Sequence, residues 1–308
     1  MNVLITGAAG NLGSLLARSL LDSPHRLRLM IHRRDPPADL VAAPNVTVCR
    51  ADLARPETLA DACRDADCIV HFAGVLFAPR PEKFLPTTNL QYVQNLLAVA
   101  RPRRFILVSF PHVEGETTPE RRATGQLDGE PSSVHARTRL AAEKEMFRFC
   151  SGGLALRAGM IYGRGVLMID ASIWLAHRRL LGVWRKPTWI HLLALPDFLQ
   201  CCRAAIERDN LTGVYNIGDD APTTLQEFLD AATAQWKLPR PWRAPTWSFY
   251  TAGAACEAWA TVFGTASPLT RDFIRIGMAS YCADTTRMKH DLLPHLVFPT
   301  LRDGLRLL

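Results

Sequence analysis

The chain has 308 residues, 48% of them hydrophobic and 21% charged. That composition excludes intrinsic disorder and leaves room for one large α/β unit with a smaller lobe. The net charge of +7 is scattered, and no nucleic-acid-binding motif accompanies it, so a small anionic ligand is expected rather than a nucleic acid.

Val3-Leu4-Ile5 is a short apolar run that ends in Thr6-Gly7, and Asn11 to Leu21 then carries helical periodicity. Further strands are predicted at Leu27 to His32, Val46 to Val48, Cys68 to Phe72, Phe105 to Ser109 and Leu154 to Arg157. Helices are predicted between them, around Glu57 to Cys63, Leu90 to Ala100 and Arg137 to Cys150. Apolar strands alternating with helices imply a doubly wound parallel sheet, an α/β Rossmann domain. After about residue 160 the pattern loosens, with prolines at 187, 196, 222, 239, 241 and 245. Short helices are predicted there at Ala171 to Leu181, Pro196 to Arg208 and Leu225 to Gln235. We expect a dinucleotide-binding domain over residues 1–160, with some later strands returning to it. Residues 161–308 are expected to form mainly a smaller, mostly helical substrate lobe packed into one unit with it.

The most apolar stretch, Trp247 to Gly264, holds Glu257 and is short for a membrane span, so it reads as a buried or surface-docked helix. The 8 cysteines show no paired zinc spacing, and no metal site is expected. Met1 leads straight into the first strand, so we expect no secretory leader and a cytoplasmic chain with reduced thiols. The tryptophans all lie in the second half. They serve either lobe packing or an apolar substrate pocket.

The segment Thr6-Gly7-Ala8-Ala9-Gly10-Asn11-Leu12-Gly13 joins the first strand to the first helix. Gly7 permits a tight turn, Gly10 lets a pyrophosphate approach the backbone, and Gly13 lets the helix pack on the strand. The helix N-terminus adds unpaired N–H groups and a positive dipole end. Gly7, Ala9, Gly10, Asn11, Leu12 and Gly13 are therefore the expected phosphate loop of a nicotinamide dinucleotide. The second strand ends in His32-Arg33-Arg34, where an NAD site usually has an acid for the ribose 2′-OH. Basic residues suit a 2′-phosphate, so NADP is expected before NAD.

Together these features resemble the extended short-chain dehydrogenase/reductase family, the NAD(P)-dependent epimerase/dehydratase group. Its 3β-hydroxysteroid-dehydrogenase-like branch is the nearest pattern. Thr6 to Gly13 resembles the family's TGxxGxxG loop, Asp52-Leu53 its adenine-facing pair, and His71-Phe72-Ala73-Gly74 its fourth-strand turn beside the cofactor. Leu156-Arg157-Ala158-Gly159-Met160-Ile161-Tyr162-Gly163 resembles its LRPxxVYG segment, and Gly213 to Gly218 a later landmark. The resemblance implies carbonyl reduction or alcohol oxidation on a small-molecule substrate and a possible homodimer. It also leaves room for a membrane contact near residues 247–264.

The family's catalytic set is Ser, Tyr and Lys, and this sequence departs from it. His135 stands at the Tyr position and Arg139 at the Lys position, four residues apart and hence on one helix face. Phe110 stands where the Ser is expected, and Ser109 lies one residue early. The leading expectation is an atypical oxidoreductase in which His135, with Arg139 and with His112, Ser109 or Glu114 as further candidates, replaces that set. A non-catalytic dinucleotide-binding scaffold or sensor, and a non-redox lyase or isomerase, remain alternatives.

Overall fold

A computed structural model describes residues 1–74, 81–100, 102–265, 267 and 269–308. Seven strands, β1 (Asn2–Thr6), β2 (Arg26–Ile31), β3 (Val46–Arg50), β4 (Cys68–His71), β5 (Arg104–Ser109), β6 (Gly153–Ala158) and β7 (Gly213–Ile217), form one sheet. Their spatial order is β3-β2-β1-β4-β5-β6-β7, and every pairing is parallel. The order reverses between β1 and β4, so their carboxyl ends open a crevice there.

Side-chain alternation builds a core on each face of the sheet. Val3, Ile5, Val70, Ile106, Leu154 and Leu156 enter one apolar cluster. Their neighbours Leu4, Ile69, Phe105, Leu107 and Ala155 enter the other. The first cluster takes in α1 (Asn11–Ser19) and runs on through Phe198, Phe228 and Leu308. The chain after residue 160 is thus continuous with the core of the sheet. The second cluster packs α2 (Tyr92–Val99) and α3 (Val134–Phe149).

The expected fold class is the observed one, with local corrections. α3 starts three residues before the predicted helix because Ser133 caps it, its hydroxyl accepting from the Ala136 amide at 3.1 Å. α4 (Leu167–His177) begins and ends four residues earlier than its periodicity suggested. α5 (Leu195–Glu207), α6 (Leu225–Gln235), α7 (Thr246–Phe263) and α8 (Arg271–Met278) follow. Short ribbons also cross this half, such as Met160–Tyr162 against Leu192–Ala194. α7 is surface-docked: it buries Gly253, Glu257 and Ala260 and exposes Trp247, Trp259, Val262 and Phe263. Among the described residues, no helix is long and apolar enough to cross a membrane. All eight cysteines are free, and Cys201 and Cys202 are buried.

One ionic network fixes α3 on the sheet. Arg157 of β6, with no exposed side chain, donates to Glu143 of α3 at 2.6 Å, to Glu114 at 2.5 Å and to the Gln126 carbonyl at 2.8 Å. Glu143 also accepts the Ser109 hydroxyl from β5, and Glu114 accepts the Thr124 and Gly125 amides. Arg157→Leu would leave Glu143 buried without its cation. The expected loss in urea-unfolding stability is about 3–5 kcal/mol. A loss under about 1 kcal/mol, the scale of an exposed ion pair, would refute the anchoring role.

Candidate functional site

The turn after β1 sits directly on the chain leaving β4. Gly7 has φ +69, and a Cβ there would lie 2.9 Å from the Ala73 amide nitrogen. Only glycine takes both the left-handed backbone and that approach without strain. A Cβ on Gly13 would meet backbone atoms of Gly7 and Ala8, so α1 also closes onto the turn. Gly10 caps α1: its amide donates to the Gly7 carbonyl at 2.8 Å and its carbonyl accepts the Ser14 amide at 3.0 Å. The amides of Asn11, Leu12 and Gly13 then lie in the first turn, where a helix has no internal acceptors. Ala9 lies beside them, and amides left unpaired at a helix start suit a phosphate.

The Asn11 side chain has a different job. It donates to the Gly165 carbonyl at 2.6 Å and accepts the Leu167 amide at 2.9 Å, bracing α1 against α4. Only its backbone amide remains for a ligand.

His32, Arg33 and Arg34 are exposed just past β2. His32 lies 3.6 Å from the Asp52 carboxylate, which accepts the Ala54 amide at 2.9 Å. The Leu53 carbonyl accepts from Asn95 of α2 at 2.8 Å. Among the described residues Arg33 and Arg34 form no hydrogen bond or ion pair, so the rim beside Asp52 and Leu53 presents two uncommitted guanidinium groups.

His135 and Arg139 lie on one helix, α3, four residues apart as read from the sequence, and both are buried. The Arg139 guanidinium lies against Gly74, and its Nε and Nη1 have no partner. Burial lowers its pKa to about 10 against the pull of Glu143, so it stays charged at neutral pH. Asn89 completes the group. It lies in the π-helical turn Pro86–Gln91, and its amide nitrogen donates to the Thr138 hydroxyl at 2.9 Å. That hydroxyl donates onward to the Val134 carbonyl at 2.9 Å, which fixes the Asn89 amide orientation. Asn89 Nδ2 also reaches His135 Nδ1 at 3.4 Å, a long contact that makes Nδ1 the acceptor and leaves the proton on Nε2. Asn89 Oδ1 is buried without a donor beside Gly74, next to the Arg139 guanidinium. Unmatched donors and an unmatched acceptor at one buried spot fit vicinal hydroxyls such as those of a ribose.

Burial is the main reason that the His135 imidazole titrates far below its ordinary value, at about 3, with Arg139 and His112 adding repulsion. His71 of β4 is lowered to about 3 by burial and Arg139, and its Nδ1 shares a hydrogen bond with the Thr6 hydroxyl at 2.8 Å. Both imidazoles are neutral at physiological pH.

The other candidates are placed differently. Phe110 packs edge-on against His135 at 4.7 Å between ring centroids, so an apolar ring occupies the place expected for a hydroxyl. Ser109 turns its hydroxyl away onto Glu143. Glu114 is held by Arg157 and two amides, which removes it from the proton carriers near His135. His112 packs at a tilt against Phe110, 5.1 Å between ring centroids, and its Nε2 donates to the Ala279 carbonyl at 2.9 Å. Burial lowers it to about 4. Phe72 and Ala73 line the crevice beside Gly7. Sequence reasoning missed Asn89 and Thr138. Thr138 had a signal in its place between His135 and Arg139, whereas Asn89 had none, because only the fold brings it 46 residues down the chain to His135.

A profile of the NAD dependent epimerase/dehydratase family matches residues 3–218. The chain is 28% identical over 273 residues to a ceramide reductase of Caulobacter vibrioides, covering 86% of this chain and 80% of that one. It is 25% identical over 277 residues to a 2-alkyl-3-oxoalkanoate reductase of Stenotrophomonas maltophilia, covering 83% and 82%. Human epimerase family protein SDR39U1, solved with NADPH, shares the fold with a TM-score of 0.76 at 16% identity, over 99% of this chain and 98% of that one.

The unfolded chain protonates a histidine near 6.5, whereas folded His135 takes a proton only near 3. Between these pH values the unfolded state holds the extra proton, so stability falls as pH drops through that window and is insensitive to His135 above it. His135→Asn should therefore reduce the slope of unfolding free energy against pH by about 1.4 kcal/mol per pH unit between about pH 6 and pH 4, measured by urea titration. An unchanged slope would show that His135 titrates as a solvated group.

Proposed function

This chain belongs to the NAD dependent epimerase/dehydratase family, and from that membership we propose that it is an NADP-dependent reductase of an apolar, long-chain carbonyl compound. The observation that carries the reading is the buried trio of orphaned atoms, Arg139 Nε, Arg139 Nη1 and Asn89 Oδ1, beside Gly74, the residue after the Ala73 that packs on Gly7. Those groups would hold the nicotinamide ribose, with the amides of α1 on the pyrophosphate and Arg33 and Arg34 on the 2′-phosphate. The bound cofactor supplies a hydride. The two curated relatives are named as reductases, one of a ceramide and one of an alkyl oxoalkanoate. Ceramide is a long-chain lipid and a 2-alkyl-3-oxoalkanoate carries two alkyl arms, which supports an apolar carbonyl substrate.

His135 acts here as a neutral electrophile. With its proton on Nε2 it hydrogen-bonds the carbonyl oxygen and stabilises the charge that develops there. An imidazolium that titrates near 3 is scarce at neutral pH, so the proton that completes the alcohol comes from solvent. Arg139 favours the same developing oxyanion electrostatically and adds to burial in keeping the imidazole neutral. Phe110 excludes water from one side of the ring.

A scaffold that binds the dinucleotide without turnover is the second reading. The replacement of a hydroxyl by the Phe110 ring beside His135 favours it. The two part on one measurement: the reductase oxidises NADPH with a long-chain 3-oxo acid or amide, and the scaffold binds NADPH and oxidises none with any carbonyl. For the reductase, His135→Phe should lower kcat by about 100-fold or more while leaving NADPH affinity unchanged. Arg33→Asp with Arg34→Ala should weaken NADPH by at least about tenfold and NADH far less, read by cofactor fluorescence. Equal losses for the two cofactors would reject the NADP assignment.

A further inference from the structure

A cavity of about 570 Å³ opens where α7 and α8 meet the N-terminal turn of α3. Its lining includes Val134, which directly precedes His135, and Tyr250 and Glu257 of α7. Arg271, Asp272 and Arg275 of α8 and Glu82 and Lys83 from the helical turn Pro81–Leu85 complete the charged part. The size is that of a small-molecule site.

Its lining carries three acids, Glu82, Glu257 and Asp272, and three bases, Lys83, Arg271 and Arg275, but their partners are unequally shared. Glu257 accepts the Arg271 amide at 2.8 Å and the Arg271 side chain at 2.7 Å. Asp272 accepts the Val134 amide at 3.3 Å and so caps α3. Glu82 pairs with Arg137 at 3.3 Å. Each acid therefore has a donor of its own. Among the described residues the side chains of Lys83 and Arg275, both exposed, make no ion pair or hydrogen bond; burial raises the Asp272 carboxyl above its ordinary value, opposed by the Val134 and His135 amides and then by Arg275. The cavity thus offers two uncommitted cations beside a wall of Pro81, Val134 and Tyr250. The helix that forms part of that wall has Glu257 as its one charged residue, and its exposed side carries Trp247, Trp259, Val262 and Phe263.

We propose that this cavity binds the carboxylate head of an amphipathic substrate, with Lys83 and Arg275 as the specificity-determining pair and the apolar body against Tyr250 and Val134. The proposal rests on the reductase reading for the fate of the ligand, and not for its binding. Val134, the residue before His135, forms part of the lining, so the cavity opens at the same first turn of α3 that carries the candidate electrophile. A guanidinium and an ammonium at a half-open site favour a single carboxylate over an ester or alcohol by charge alone, and that preference weakens with salt.

The test is equilibrium binding, without turnover, of dodecanoate, methyl dodecanoate and UDP to the full chain, with NADP present and absent. Dodecanoate should bind at least about tenfold more tightly than its methyl ester. Lys83→Glu with Arg275→Glu should abolish that preference, Lys83→Gln with Arg275→Gln should reduce it, and both should keep wild-type NADPH affinity. Arg26→Glu, at the opposite end of the sheet on the first residue of β2, should leave the preference intact. Equal binding of acid and ester by the wild type, or a preference that survives both double substitutions, would overturn the proposal. So would UDP binding tighter than dodecanoate, which would make the site one for a nucleotide. A protein that prefers dodecanoate as described but never oxidises NADPH would sink the reductase reading alone.

Discussion

Arg157 has no contact with water, so each of its donors must find an acceptor inside the protein. It finds them on Glu143 of α3, on Glu114 and on the Gln126 carbonyl, and through Glu143 it reaches the Ser109 hydroxyl of β5. Two neighbouring strands and the helix that carries the candidate catalytic side chains are thereby tied to one guanidinium. Glu143 lies four residues after Arg139 on the same helix face, so the carboxylate that anchors the helix also favours the charged form of Arg139. Position and electrostatics of the site thus share a cause. It also explains the orientation of Ser109: the hydroxyl is one of the groups that satisfy Glu143.

Replacing a flexible ammonium by the Arg139 guanidinium has a clear consequence. A guanidinium is planar and always charged, and several donors must be matched in fixed directions. Here some of them are not matched within the protein, and Asn89 leaves an acceptor unmatched at the same place. Buried unmatched groups of both kinds are destabilising until a ligand with hydroxyls arrives. The neighbouring imidazole is shorter than a phenol and neutral, so it can polarise an oxygen but is a poor proton reservoir. The pair is therefore better suited to binding and electrostatic stabilisation than to proton relay.

The parts that were legible from sequence follow from local rules. A short apolar run such as Phe105 to Val108, set between helical segments, reads as a buried strand, and glycine at 7 and 13 marks a turn under close approach. The spacing of His135 and Arg139 puts both on one face of any helix. What was not legible depends on distant partners. Asn11 looks like a ligand residue in its loop, but Gly165 and Leu167, brought in by the second half of the chain, take both ends of its amide. Asn89 looks like an ordinary helical residue until the fold sets it against His135. Ser109 is polar at the end of a strand, and nothing local says that Glu143 will take its hydroxyl. The start of α3 was misplaced because Val134 and His135 are weak helix formers that mask the Ser133 cap before them.

Two contacts show how the later half of the chain meets this site. Asn11 holds the start of α4 to the first residue of α1. Asp272 of α8 holds the first residue of α3 through the Val134 amide. These are the N-termini of the two helices that frame the crevice, one facing the phosphate loop and one carrying His135. A shift of the second half would drag on both, and the apolar cluster that runs from Val3 to Leu308 opposes such a shift. The crevice is therefore shaped by two braced helix ends. Asp272, which lines the cavity and caps α3 at once, makes any charge placed beside it felt at the helix that holds His135.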